Sequence, residues 1–290
     1  MTTFDFVGSE RSNPLKWFLV CLLFLSCSAQ GATDLGDLQS DDAIQITFLD
    51  VGQGDAVLIR TPEGSTALID AGPDELPNGL SNFDIEQVDL LIASHPHADH
   101  IGGMVSVMNT YPVRFYMDSG DTHTTVTYRE LIQTLQQRTS ITYLIAEPRT
   151  IQLGGAEIQV LPLLPAGSTD LNNRSVGLVV RYGSFVAFLS GDSEIEELTH
   201  WVEQQVVPDV TVLKAPHHGS SDAFTTEFLD QAKPEVVVIS VGANRYGHPH
   251  AEAVRAYEAV SETLLTTRDN GQITILGYAD GRYEIRTRGG

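Results

Sequence analysis

Apolar residues recur in two rhythms along the chain. From Ala43 the period is two: Ile44, Ile46 and Phe48 alternate with polar residues, as on a half-buried strand. Asp50 to Asp55 reads as a turn, and Ala56 to Arg60 returns as a second strand. Thr66 to Ile69 is a third, closing on Asp70-Ala71-Gly72. A polar loop from Pro73 to Asn82 precedes Val88 to Ala93, an apolar run of the kind found in buried strands. The loop Ser94 to Gly103 follows, with a helix starting near His100. Beyond it the rhythm changes. Strand Val113 to Met117 leads to a helix over Thr125 to Arg138 and a short strand, Ile141 to Ile145.

A second β-rich block then begins. Thr150 to Leu153 and Glu157 to Leu161 flank Gly154-Gly155, a hairpin signal. Ser175 to Tyr182 pairs with Phe185 to Leu189 across Gly183-Ser184. Ser193 opens a helix, with Glu196 three residues on as a capping box. Strand Val210 to Lys214, a helix near Thr225 to Ala232, strand Val236 to Val241 and a helix near Ala251 to Val260 follow. Two final strands surround Asp280-Gly281. Strands followed by alternating strands and helices thus occur twice. Two such halves can pack sheet against sheet with helices outside, an α/β sandwich of four layers, αβ/βα. No linker divides residues 43–290, so they read as one domain. A chain of 290 residues buries roughly three quarters of its unfolded surface in such a core.

The N-terminus reads differently. Arg11 and Lys16 precede Trp17 to Leu25, an apolar run too short to span a bilayer comfortably. Small and polar residues follow, from Ser26 to Gly31. Residues 1–31 have the layout of a secretory signal peptide, and 32–42 that of a flexible tether. Phe24-Leu25-Ser26-Cys27 resembles a bacterial lipobox, with phenylalanine where leucine is usual. That resemblance implies an envelope lipoprotein held to the bacterial membrane by a lipidated Cys27. Cleavage near Ala29 or Gly31, giving a periplasmic protein, and an uncleaved anchor are the alternatives. Both cysteines, Cys21 and Cys27, lie in this segment. The remaining domain therefore has no internal disulfide and no cysteine ligand for a metal.

Charge narrows the partners. The net charge is −21, from 17 lysines and arginines against 38 acidic residues. Such a surface repels nucleic acid and anionic membrane over most of its area. A solubility adaptation explains it more simply than an acidic binding surface. Bound cations can still attract a phosphate locally. Nothing in the sequence marks a stable protein partner.

The chemistry concentrates in Ser94-His95-Pro96-His97-Ala98-Asp99-His100-Ile101-Gly102-Gly103. Three of the nine histidines fall within six residues of this loop. Neutral imidazole and carboxylate are the usual ligands of zinc and similar ions. His95 and His97, two apart, can turn to one ion, while Asp99 and His100 face a neighbouring point.

This H-x-H-x-D-H pattern resembles the metallo-β-lactamase superfamily, in which it supplies ligands to a one- or two-metal hydrolytic centre. Asp70, at a strand end, matches an aspartate that usually orients a metal histidine in that superfamily. Asp192, in Phe188-Leu189-Ser190-Gly191-Asp192, matches its bridging aspartate. His217-His218-Gly219-Ser220 matches its last ligand. Adjacent side chains diverge, so one histidine of the pair is the ligand. His217 is favoured, leaving His218 to contact substrate or act as an acid. A further histidine, frequent in the superfamily between His100 and Asp192, is missing. His123 lies in that interval in a threonine-rich loop without a motif, and Asn172-Asn173-Arg174-Ser175 stands in its place.

That departure resembles the soluble domain of the ComEC-type DNA-uptake competence proteins. So do Phe48 to Asp55, Ser190-Gly191-Asp192 and Ser240 to Pro249. The resemblance covers about Ala43 to Tyr283 and does not include the competence protein's membrane channel, which counts against the expectation of a role in DNA transport itself. It implies two divalent ions, zinc or manganese. His95 and His97 would hold one, Asp99, His100 and His217 the other, with Asp192 between. Such a pair turns water into a metal-bound hydroxide near neutral pH. Asn173, Ser175, Ser220 and Asn244 are candidate substrate contacts. Lys214 and Arg245 are candidates to pair with a phosphate, or simply solvated charges. His248, in a Gly-His-Pro turn, is a candidate proton donor or a structural turn histidine. With Asp99, Asp70 and His218 it completes the candidate catalytic set. The leading expectation is an exported phosphodiesterase or nuclease. A hydrolase of a carbon ester, thioester or lactam is the alternative, and a non-catalytic envelope-binding protein the third.

Overall fold

The computed structural model describes residues 42–165 and 170–288. The segment expected to be a signal peptide, with Cys27, and nearly all of the expected tether lie outside the described residues. β1 (Ala43–Phe48), β2 (Val57–Arg60) and β3 (Thr66–Ile69) form an antiparallel meander. β4 (Val88–Ile92), β5 (Val113–Asp118) and β6 (Thr142–Ile145) extend it in parallel. α1 (Ala98–Ile101) and α2 (Met104–Thr110) cross from β4 to β5, and α3 (Val126–Gln137) from β5 to β6.

The second half repeats the plan. β7 (Arg149–Leu153), β8 (Ala156–Val160), β9 (Leu178–Tyr182) and β10 (Phe185–Leu189) are antiparallel. β11 (Val212–Lys214), β12 (Val236–Ile239) and β13 (Thr263–Thr266) continue in parallel. Their crossovers carry α4 (Ile195–Glu203), α5 (Thr226–Ala232) and α6 (Ala251–Val260). After α7 (Thr267–Asn270) the chain returns to the first sheet, where β14 (Gln272–Tyr278) pairs with β1 and β15 (Tyr283–Arg288) forms the edge. The sheets run β15-β14-β1-β2-β3-β4-β5-β6 and β13-β12-β11-β10-β9-β8-β7.

Three apolar layers hold this together. Ile44, Ile46 and Phe48 of the first sheet meet Ile158, Val180 and Val238 of the second. Leu58 and Leu91 pack outward on Met104, Val107 and Leu131. Phe188, Leu213 and Val237 pack on Leu198, Trp201, Phe228 and Tyr257. Each such side chain, fully buried, contributes about 1.5–3 kcal/mol. The result is the expected four-layer α/β sandwich, αβ/βα.

Several local expectations change. β1 is buried along its whole length, with β14 and β2 paired on its two sides. There Thr47 Oγ1 meets Thr274 Oγ1 at 3.0 Å. Residues 172–174 form a 3₁₀ turn, and the strand expected from Ser175 starts at Leu178. Ser193 does not cap α4. Its hydroxyl donates to Ser190 O (2.6 Å) and lies 2.8 Å from Glu197 Oε2, and the helix starts at Ile195.

The carboxyl ends of β3, β4, β10, β11 and β12 all reach one edge of the sandwich. Open α/β sheets place their sites beyond such strand ends. One backbone contact ties the sheets there, Val176 N donating to Ser94 O (2.8 Å), and beside it Ser175 N donates to Glu197 Oε2 of α4 (3.1 Å). Burial pushes the Glu197 carboxyl up to about 8 against its hydrogen bonds and Arg174. The folded state therefore holds a proton on Glu197 that the unfolded chain releases near pH 4.5. Stability from this group is complete below pH 4.5 and is lost as pH rises to about 8, with a slope of up to about 1.4 kcal/mol per pH unit. Urea denaturation at pH 5 and pH 8 should show that loss, and Glu197→Gln should flatten it.

Candidate metal centre

The site is assembled from residues just past the strand ends. Asp70 follows β3 with φ 59°, a left-handed backbone that costs a non-glycine residue about 1–3 kcal/mol. The conformation aims its buried carboxylate inward. Ser94 N and Ser94 Oγ donate to it at 2.7 Å each, and His100 Nδ1 at 2.8 Å. With Nδ1–H committed to Asp70, His100 turns Nε2 toward Asp192 Oδ2 at 3.1 Å. Asp70 thus orients His100 and is itself shut away from solvent. It is a positioning residue, and the catalytic placing of it is corrected.

Asp192 is the point of convergence. Its Oδ2 lies 3.1 Å from His100 Nε2, 3.3 Å from His218 Nε2, 3.8 Å from His217 Nε2 and 4.0 Å from His95 Nε2. Its amide donates to Ser175 Oγ at 3.1 Å. The turn before it needs Gly191, at φ 55°: a Cβ there would sit 2.8 Å from Ser94 Cβ and 3.0 Å from Ser175 Cβ.

The histidine pair resolves differently from the sequence reading. His217 and His218 both adopt left-handed φ, 44° and 53°, in the turn Pro216–Gly219. Successive left-handed residues splay the two rings. His218 is buried, with Nδ1 2.8 Å from the Ser240 carbonyl. Its Nε2 lies 3.3 Å from Asp192 Oδ2 and 3.5 Å from Asp99 Oδ2. His217 turns outward instead, with Nδ1 3.1 Å from Glu194 Oε1 and 3.9 Å from Asp222 Oδ1. The expectation of His217 beside Asp99 and His100 is therefore corrected to His218.

Electrostatics follow from burial without full pairing. Burial works to raise Asp192, but His100 and His218 outweigh it and hold the carboxyl well below its usual range. Asp99, one third exposed, is also held low: burial opposes, and His100 and His218 prevail. Burial works to lower His100 and His218, yet the carboxylates around them push both well above the ordinary imidazole value. His95 is pushed well down, by burial first and then by His100, and His97 goes down for the same reasons. The pocket therefore stabilises positive charge at the nitrogens facing Asp99 and Asp192. The ligand atoms of Asp99, His100, Asp192 and His218 all lie within 4.8 Å of one another. Asp192 Oδ1 and His218 Nε2 are buried with no hydrogen-bond partner. Two imidazoles, two carboxylates and orphaned buried donor atoms fit a divalent cation. At the neighbouring point, His95 Nε2 lies 2.9 Å from His97 Nδ1, with Ser94 Oγ 3.1 Å behind His95 Nδ1.

The remaining candidates separate by exposure. Lys214 is 2% exposed, its ammonium 2.6 Å from Asp55 Oδ2 and bonded to the Gly191 and Ala215 carbonyls. It has no route to a phosphate, so that expectation is corrected. Asn173 is consumed structurally: Oδ1 takes Glu194 N and Glu197 N, and Nδ2 donates to Glu194. Asn244 is consumed as well, its amide holding the 242–248 loop through five bonds. Ser175 positions Asp192, and its Oγ lies 3.5 Å from His95 Nδ1. Ser220 is buried, its amide donating to His217 O. Burial and the neighbouring His217 and His218 push His248 down to about 4, so it is neutral near pH 7 and does not serve as a cationic acid. Arg245 is exposed and lines an open cleft of about 680 Å³ with Asp99, Gln53 and Tyr246.

Asp55 is the residue that sequence reading gave no role. Burial opposes its ionisation, but Lys214 and His218 keep it below the usual carboxylate range. A lone lysine closing the apolar run Val212-Leu213-Lys214-Ala215 was the available signal, since such a lysine needs a buried partner. Gly54 lets this loop close: a Cβ there would lie 2.3 Å from Asp99 O.

Elemental analysis of purified variants checks the geometry. His218→Ala should lower bound metal at the Asp99–His100–Asp192 position by at least about 100-fold in affinity, whereas His217→Ala should leave it near wild type. Asp70→Asn should cost about 10–100-fold by releasing His100. Equal losses for the two histidines would refute the assignment.

The comparisons with known proteins agree with this geometry. Residues 49–243 match the Metallo-beta-lactamase superfamily. ComE operon protein 3 of Bacillus subtilis is 27% identical over 256 residues, covering 79% of this chain and 32% of that protein. Recombination protein 2 of Haemophilus influenzae is 26% identical over 253 residues, covering 83% and 30%. The chain thus spans about a third of the length of these relatives, and the resemblance to ComEC-type competence proteins holds. CmlA, a diiron β-hydroxylase from Streptomyces venezuelae, superposes with a TM-score of 0.53 at 15% identity, covering 81% of this chain and 54% of that one, a likeness of fold. On its strand-end histidines and aspartates, its sandwich and this match over most of its length, the chain belongs to the metallo-β-lactamase superfamily.

Proposed function

We propose that the protein is an exported, divalent-metal-dependent hydrolase that cleaves phosphodiesters, in DNA or in smaller phosphate esters. The observation that carries the reading is the convergence of Asp99, His100, Asp192 and His218 beside an open cleft with an exposed arginine. His95 and His97 would hold one ion, and Asp99, His100 and His218 the other, with Asp192 between them. Bound there, zinc or manganese would activate water and neutralise charge on a phosphoryl oxygen.

The chain's own groups do the rest. Arg245 has no ion-pair partner among the described residues and is free to pair with phosphate oxygens. Tyr246, 61% exposed, offers a face on which a base can stack. Asp70, Ser94 and Ser240 fix the rings of His100 and His218. Buried Lys214 and Asp55 support them from beneath. His248, neutral near pH 7, keeps a buried ring nitrogen, Nδ1, without a partner behind the cleft loop. The kinship with a protein named for recombination supports a nucleic-acid substrate. Among the described residues, no helix is long and apolar enough to cross a membrane. Attachment to the envelope would rest on Cys27, and Cys27→Ser should release the protein from the membrane fraction.

The mature domain, loaded with zinc or manganese, should turn over a chromogenic phosphodiester and cleave single-stranded DNA. A chelator should abolish both. Asp192→Ala should lower kcat/KM by about 1,000-fold or more, as expected for a group stabilising transition-state charge. Arg245→Ala should raise KM about tenfold, the loss of a charge-assisted hydrogen bond. DNA cleavage should stay level or rise from low to moderate salt, because screening relieves repulsion from an acidic surface more than it weakens a few attractions. Turnover of lactam or carbon ester alone, or full activity after metal removal, would overturn the reading.

A further inference from the structure

The inner faces of the two sheets close on each other at the centre of the sandwich, where Ile46 and Val180 are fully buried. Toward the edge strands β6 and β7 they part. Leu90 and Leu153 are still buried there, but Phe115, Leu144 and Ile151 are only partly covered by the core they pack against. These five side chains line a cavity of about 290 Å³, the lower end of the size range of small-molecule sites. It lies away from the metal centre. Asp89 and Arg114 at its mouth stand at the starts of β4 and β5, whereas His95 to His100 follow the end of β4.

The mouth reverses the charge of the chain. A second, open cleft of about 450 Å³ shares Arg114 and Phe115 with the cavity and adds Arg138. Among the described residues, those lining the two include three arginines, Arg114, Arg138 and Arg149, and one carboxylate, Asp89. The whole chain has 17 basic residues against 38 acidic ones, so this mouth is a positive exception on a negative surface.

The two nearer guanidiniums are placed but not used up. Arg114 Nη1 donates to Asp89 Oδ1 at 3.1 Å, and its guanidinium carbon lies 5.5 Å over the Phe115 ring. Asp89 also accepts from Thr66 N at 2.9 Å and Gln87 Nε2 at 2.7 Å, so it keeps two partners when Arg114 turns to a ligand. Arg149 Nη2 donates to Ile145 O and Glu147 Oε2 at 3.1 Å each. The Glu147 carboxylate is exposed, and an ion pair of that kind is weak enough to yield.

Apolar walls left uncovered favour an apolar body that removes them from water. Guanidiniums at the mouth favour an anionic head held by charge-assisted hydrogen bonds. We propose that the cavity between β4–β6 and β7 binds a small amphipathic anion, a carboxylate on a short aliphatic chain, with the tail inward and the head at Arg114 and Arg149. The cavity has about ten times a water molecule's share of liquid volume, which suits one short chain. This site is separate from the metal centre and does not depend on the function proposed for it.

Titration of the full chain with decanoate, by calorimetry and by displacement of the fluorescent anion anilinonaphthalene sulfonate, tests this. Decanoate should bind once per chain, with the same affinity before and after chelation. Uncharged decanol should bind at least about tenfold more weakly, the loss of a charge-assisted hydrogen bond. Arg114→Gln combined with Arg149→Gln should bring decanoate down to the decanol value and leave decanol unchanged. Leu144→Trp and Ile151→Trp fill the cavity from opposite sheets, and each should weaken both compounds by at least about tenfold through lost apolar burial. Circular dichroism identifies a filled variant that fails to fold, and the other then decides. No saturable binding by wild type, binding lost on chelation, equal affinity for decanol, or wild-type affinity in a folded filled variant would each overturn the proposal. Capture of the chain on phosphatidylglycerol vesicles without binding of free decanoate would also overturn it, and would assign the arginines to a membrane surface.

Discussion

A buried carboxylate with too few hydrogens around it governs this structure. Asp192 sits where the two sheets meet, 2% exposed, with one oxygen unpaired and the other ringed by imidazole nitrogens. Taking a carboxylate out of water costs several kcal/mol unless positive charge is brought to it. The surrounding backbone is bent to that end. Asp70, His217 and His218 all take left-handed φ, and Gly191 takes it where no Cβ would fit. Strain of about 1–3 kcal/mol per non-glycine residue persists only where packing over-determines it. Here the packing of the two sheets does so for Asp70 and His218, whose side chains point into the centre, while His217 turns outward.

Much of this was legible in the sequence because it is local. Period-two and period-3.6 patterns place most strands and helices, and His95 to His100, Asp70, Asp192 and the His217-His218 pair all stand directly after apolar runs. What was not legible depends on partners distant in the chain. β14 joins β1 across the whole domain, so the polar positions of β1 are buried although their alternation reads as half-exposed. Lys214 looks like a phosphate-binding charge until Asp55, from a different strand end, is seen 2.6 Å away. Choosing between His217 and His218 turned on two left-handed residues, and no pattern of side chains announces a φ. Asn173 and Asn244 are drawn to motif positions for the same reason in reverse. An asparagine that ties a loop to itself and one that meets a substrate read alike in one dimension.

The charge of the whole molecule and the chemistry of its centre pull in one direction. Asp55, Asp70, Asp99 and Asp192 crowd the strand ends, while buried Lys214 is the lysine that answers them. Around this lies a surface carrying 38 acidic residues against 17 basic ones. Without a bound cation, His100 and His218 are driven to hold protons, so the seam between the sheets is closed by charged imidazoles. A divalent ion would take over that duty with higher charge at the same point, displacing the protons as it binds. Because it would bind the folded arrangement and find no such arrangement in the unfolded chain, its binding energy would become folding energy, about 2.7 kcal/mol at a concentration 100 times Kd. The same donors would then serve two ends. Holding the sheets together at their strand ends and presenting a cation to the cleft at Arg245 and Tyr246 are one requirement, met by one set of side chains.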